Sequence, residues 1–124
     1  MKKEIADRWI AKLRSGEYGQ TYGRLRDVDH HAFCCLGVLC DLYREDHDDL
    51  AWVDGNAVIG DLRTRASLPD ELVEWSEMNS SLGNFPGSVI EELNLQHDSL
   101  AQLNDSGWSF ERIGDFIEKH WEDL

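Results

Sequence analysis

The amino-acid sequence predicts a mainly α-helical (α+β) fold: a compact helical domain around one buried central helix, with a small β-hairpin attached. Three observations carry that expectation. The segment HAFCCLGVLCDLY, residues 31 to 43, is apolar on nearly every face. Segments near the two ends of the chain carry apolar residues at helical spacing along one stripe only. Between them, LAWVDGNAVIGDL sets short apolar runs on either side of an Asp54-Gly55 turn pair.

Taken in order, residues 3 to 14 align Ile5, Ala6, Trp9, Ile10 and Leu13, and Gly16 is placed to end that helix. Residues 16 to 29 are poor in apolar side chains and hold Gly16, Gly19 and Gly23, so they read as irregular loop. In the 31 to 43 segment, Phe33, Leu36, Cys40 and Tyr43 form one stripe and Cys35, Val38, Leu39 and Leu42 another. Val38 is its only β-branched residue, which favours helix over strand, and apolar surface all round marks the helix as buried. Gly37 in its middle costs about 1 kcal/mol against alanine, a cost that close packing by a neighbouring element would explain.

Residues 50 to 62 read as two short strands around Asp54-Gly55. SLPDELVEWSEM begins a helix with Pro69 at its first position and Asp70 and Glu71 in the first turn. Residues 79 to 97 offer the turn formers Gly83, Asn84, Pro86 and Gly87 and a short strand around Val89 to Leu95. Ser99 and Gln102 match a capping box for a short helix. A turn at Gly107 follows, then a last helix from Ser109 that buries Phe110, Ile113, Ile117 and Trp121.

Length and charge narrow the function classes. The 124 residues are expected to form one domain, 1–124. No apolar run approaches the ~20 residues of a membrane span. The first residues carry Glu4, Asp7 and Arg8, leaving no apolar stretch for a signal peptide, so the expected location is the cytoplasm. A net charge of -13 argues against direct nucleic-acid binding, which needs a basic footprint. The five tryptophans are spread through the chain, favouring a core or a homo-oligomer interface over one aromatic platform.

Charge is unevenly placed. Residues 1 to 26 hold 7 of the 12 Lys+Arg and only 3 of the 25 Asp+Glu. Within LRSGEYGQTYGRLR, Arg14, Arg24 and Arg26 stand with Tyr18, Tyr22 and Gln20, a set of guanidinium forks, aromatic faces and an amide. Such groups suit a phosphate attached to a stackable base or ribose. Equally, these arginines could pair with the carboxylates of the surrounding surface.

Other chemistry is less well served. His30, His31, Cys34, Cys35 and Cys40 invite a zinc reading, but no second cysteine pair exists, and buried, reduced thiols fit better. No histidine is placed by the sequence beside a thiol, so a cysteine nucleophile is not expected. Residues 99 to 121 have helix-turn-helix spacing, yet Glu111, Asp115, Glu118 and Glu122 would repel phosphate. No motif names a reaction. The expectation is a non-enzymatic protein with no cofactor and no metal.

At FCCLGVLCDLY the chain resembles a group of small, mostly uncharacterised accessory proteins of tailed phages and prophages. LRSGEYGQ, GRLR, the Leu68-Pro69 pair with Trp75, and LNDSGWSFERIGDFIE extend the resemblance over most of the chain. The pattern includes Arg14, Gly16, Tyr18, Gln20, Asn104 and Asp105, which adds Asn104 and Asp105 to the candidate site. The resemblance implies a phage gene product acting in the cytoplasm of a bacterial host, against a host defence. Two functions follow from it. One is sequestration of a small phosphorylated nucleotide signal, of ADP-ribose or cyclic-dinucleotide type. The other is inhibition of a host defence protein by an acidic, DNA-mimicking surface.

Overall fold

The computed structural model describes all 124 residues. Helix α1 (Lys3–Arg14) is followed by three two-residue strands, β1 (Gly19–Gln20), β2 (Arg26–Asp27) and β3 (Ala32–Phe33). Then come α2 (Cys35–Asp46) and the strands β4 (Leu50–Val53), β5 (Asn56–Ile59) and β6 (Leu62–Thr64). Four helices complete the chain: α3 (Asp70–Ser76), α4 (Gly87–Leu93), α5 (Leu100–Asp105) and α6 (Phe110–His120). The fold is α+β. No helix is long and apolar enough to cross a membrane.

Helix α2 is the centre of the molecule, as its all-round apolar pattern predicts. Residues Cys35 to Cys40 are all buried, and the helix packs against α1, α5 and β4. A cluster of 30 buried residues draws side chains from every α-helix and both sheets. Trp9, wholly enclosed, donates its indole N–H to the Cys35 carbonyl at 2.9 Å, tying α1 to the first turn of α2. The three cysteines are free and buried. Gly37 behaves as its position implied: a Cβ there would run into the carbonyl of Leu25, so that loop lies directly on the helix.

The helix begins later than the hydrophobic run. Ala32 and Phe33 belong to β3, the middle strand of a small sheet ordered β1-β3-β2, parallel to β1 and antiparallel to β2. Cys34 is then the N-cap, its Sγ accepting from the Gly37 N–H at 3.4 Å. Residues 16 to 29, expected to be irregular, therefore supply two strands. The cause is tertiary: their backbone groups bond to β3, a partner that local sequence cannot reveal.

Several further expectations need correction. The hairpin of β4 and β5 gains a third strand, with β6 pairing antiparallel to β5. The strand expected around Val89 to Leu95 is instead α4, bounded by Pro86 at its N-cap and by Asn94 at φ +51°. Val89 and Ile90 suggested strand by their branching, but the Pro-Gly start and left-handed Asn94 enclose a two-turn helix. Pro69 is the N-cap of α3 rather than its first helical residue. Half of the capping box forms as expected, Ser99 Oγ accepting from the Gln102 N–H at 3.2 Å. The Gln102 side chain reaches back one residue further, to the Asp98 N–H. Trp121 lies beyond α6 in a single 3₁₀ turn and is only partly buried, while Phe116 takes a core place on the helix.

Candidate functional site

The seven candidate residues fold into three separate settings. Gln20, Asn104 and Asp105 meet in the first. Asn104 is fully buried at the end of α5, and its Oδ1 accepts from Gln20 Nε2 at 2.9 Å and from the Cys35 N–H at 3.1 Å. Its Nδ2 donates to the Thr21 carbonyl at 2.9 Å and to Asp105 Oδ1 at 3.2 Å. That Asp105 oxygen also accepts from the Gly23 N–H at 2.9 Å, and Gln20 Nε2 donates to the Trp108 carbonyl at 2.7 Å. An asparagine side chain has two donors and two lone pairs, and here all four are used. This node holds the 19 to 23 loop against α5 and the start of α2.

Arg14 and Tyr18 occupy a second setting, a groove of about 400 Å³ between the end of α1 and the start of α6. Arg14 is already engaged, its guanidinium bonding Asp115 at 2.6 Å and Glu118 at 2.9 Å along α6. Tyr18 donates its hydroxyl to Asp41 at 2.8 Å and sets its ring edge-on to Phe33. Burial, and then the hydrogen bond to Asp41, push its pKa upward. Here the alternative reading of the arginine holds: it balances surface carboxylates.

The third setting is a cleft of about 370 Å³ between the β2 loop and the β4–β5 hairpin, lined by Arg24, Arg26, Asp27 and Val28 on one side. Asp29 continues that side, and Trp52 and Asp54 close the other. Arg24 bonds Asp27 at 2.9 Å, and His30 Nδ1 reaches the same carboxylate oxygen at 2.9 Å. The hydrogen bond from His30, then the Arg24 charge, hold the Asp27 carboxyl below its usual range. Arg26 is different. Its guanidinium carbon lies 5.0 Å from the centre of the Phe33 ring and 5.4 Å from that of Trp52. Its Nε is buried with no hydrogen-bond partner, as is the Trp52 indole N–H.

Backbone packing fixes the cleft. The Leu25 N–H donates to the Arg65 carbonyl at 2.8 Å, and the Leu25 carbonyl accepts from the Cys34 N–H at 3.0 Å. Gly55, at φ +82°, puts the hairpin turn so close to the loop that a Cβ would stand 2.5 Å from the Arg26 carbonyl. The Asp54-Gly55 pair was legible as a turn; that its tip meets Arg26 was not. The sequence alone therefore does not place Trp52 and Asp54 at the cleft, and His30, considered there only as a zinc ligand, instead bonds Asp27.

A larger hollow, about 610 Å³, is lined by the single stretch Arg44 to Asp49. It is an open acidic corner, and α1 partly neutralises it: Arg8 grips Asp46 at 2.6 and 3.2 Å, and Lys12 pairs with Glu45. No three His, Cys, Asp or Glu side chains converge to hold a metal ion. Burial raises all three thiols, Cys34 to about 11, so none is a ready nucleophile at neutral pH.

Fold and site define an α+β protein of six α-helices and two small sheets, with an arginine–tryptophan cleft where the sheets meet. Over residues 1–121 the chain matches a family described as a domain of unknown function (DUF8296), and it belongs to that family. No curated protein matches the chain, and neither does any solved structure.

Proposed function

We propose that this protein is a non-enzymatic binder that captures a small phosphorylated nucleotide in the cleft of Arg24, Arg26 and Trp52. The observation that carries the reading is the state of Arg26: a guanidinium packed against the touching Phe33–Trp52 ring pair, in an open cleft, with an unpartnered buried N–H. Arginine forks and indole faces are the groups that take phosphate and base, and the neighbouring carboxylates would accept from sugar hydroxyls. The setting proposed from the sequence resemblance is a phage accessory protein, working as a homo-oligomer in the bacterial cytoplasm by removing a host defence signal. Calorimetric titration of the full chain with ADP-ribose and a cyclic dinucleotide tests the reading. Arg26→Ala is expected to weaken binding tenfold or more with the fold intact. Absence of binding to both ligands would end it.

A second reading keeps one supporting observation. The Arg44 to Asp49 corner presents Glu45, Asp46, Asp48 and Asp49 in one continuous stretch, as an acidic inhibitor or DNA mimic of a host protein would require. Under that reading, neutralising Asp46, Asp48 and Asp49 abolishes inhibition, and the affinity falls steeply with salt. Under nucleotide capture the same changes leave ligand affinity unaltered.

A further inference from the structure

Four buried side-chain polar atoms lack a hydrogen-bond partner: Arg26 Nε, Trp52 Nε1, Thr64 Oγ1 and Glu71 Oε2. The first two line the cleft. The third belongs to the strand row behind it, because Thr64 stands opposite Ala57 and Ala57 stands opposite Trp52. Buried donors without acceptors are costly, and native folds rarely leave two in one place. Both N–H groups here are donors only, so what satisfies them must bring acceptor oxygens.

The rim asks for the opposite. Asp29 and Asp54 are acceptors, and one oxygen of Asp27 is already engaged by Arg24 and His30. Three carboxylates against two guanidiniums leave the cleft with no surplus positive charge to hold a highly charged anion. A suitable ligand therefore combines one anionic acceptor group with hydroxyl donors, at low total charge.

We infer that the captured ligand is a ribose-bearing diphosphate of the ADP-ribose type, with one of its two phosphates on Arg26 Nε–H and Trp52 Nε1–H and a sugar diol on Asp54. This rests on the capture reading and narrows it. The site selects ADP-ribose-type ligands over nucleoside triphosphates by charge, and over free phosphate and 3′,3′-cyclic dinucleotides because neither offers a vicinal diol. The two N–H groups are closed to solvent, so the ligand engages them through a side-chain rotamer change at Trp52 or Arg26, a common event on binding. Of the fluorescence change on binding, the part that Trp52→Phe removes reports the Trp52 movement, since the chain holds five tryptophans.

The test is calorimetric titration of the full chain with ADP-ribose, ATP, a 3′,3′-cyclic dinucleotide and inorganic phosphate. Trp52→Phe, Arg26→Lys and Asp54→Asn are measured alongside, with circular dichroism to verify folding. ADP-ribose is expected to bind at least tenfold more tightly than the other three. Trp52→Phe keeps the ring and removes the N–H, and is expected to weaken ADP-ribose about tenfold. Asp54→Asn is expected to weaken ADP-ribose while improving ATP, since it removes a rim charge. ATP or phosphate binding as tightly as ADP-ribose would overturn the inference, as would a Trp52→Phe variant indistinguishable from wild type. Binding of the cyclic dinucleotide alone would overturn it and leave the capture reading standing, whereas no binding of any nucleotide removes both.

Discussion

Two polar regions that draw on neighbouring parts of one loop, residues 20 to 23 and 24 to 26, are built on opposite terms. At the Asn104 node, every donor and acceptor of the amide is met, by Gln20, Thr21, Cys35 and Asp105. At the Arg26 cleft, two touching aromatic rings lie against a guanidinium whose Nε has no partner, and the Trp52 N–H is equally unmet. A saturated buried network rigidifies a fold and has nothing left to offer a ligand. An unsaturated one holds contacts in reserve. The difference separates residues that hold the loop in place from residues free to bind, although both kinds sit in the same stretch of sequence.

That contrast can be broken most forcefully at Asn104. Asn104→Ala leaves the buried Cys35 N–H and the part-buried Thr21 carbonyl unmet, and is expected to cost about 3 kcal/mol in urea denaturation. A loss below about 1 kcal/mol would mean that the node does not support the fold. Gln20→Ala keeps Asn104 and removes two bonds at the edge of the node, so about 1 to 2 kcal/mol is expected in the same assay. Arg26→Ala should sit near zero on the stability axis, within about 1 kcal/mol, because it removes an unmet buried donor along with its ring contacts. Its effect belongs on the binding axis instead. Arg14→Ala, an exposed pair of surface bridges, is expected to change stability by under about 1 kcal/mol and to leave ligand binding intact.

The smallest expected effect is a pH dependence at Asp27. The folded state lowers the Asp27 pKa, chiefly through His30 and then Arg24. Its contribution to stability is therefore complete above the ordinary carboxylate value of about 4, and is lost as pH falls through the lower folded value. Asp27→Asn should flatten the acid limb of a denaturation-midpoint profile measured from about pH 5 to 2. An unchanged profile would show that the Arg24–Asp27–His30 contact is idle.

Much of the fold was written locally. Gly16 closes α1 at φ +77°, Ser109 Oγ caps α6 on the Arg112 N–H, and the apolar run of α2 is buried. Elements that depend on distant partners were hidden: two-residue strands have no period to read, and β6 exists because β5 lies beside it. In α4, strand-forming Val89 and Ile90 competed with the Pro86 and Asn94 boundaries, and the boundaries won. The site was only partly visible for a related reason. Proximity in sequence gathered Arg14, Arg24 and Arg26 into one group, but Arg14 ends a helix packed on α6 while the others face the hairpin. Trp52 and Asp54 reach the cleft only through tertiary contact.

The close seating of Leu25 on Gly37 has a consequence for change over time. The loop is held by main-chain groups: Leu25 bonds Cys34 and Arg65 through its backbone, and rests on a helix position where no side chain fits. Positions 24 and 26, on either side, can exchange side chains without moving that anchor. The molecule thus joins an immobile mount to replaceable contact residues, so ligand preference can drift, or be redesigned, by substitution at those two positions while Gly37 stays invariant.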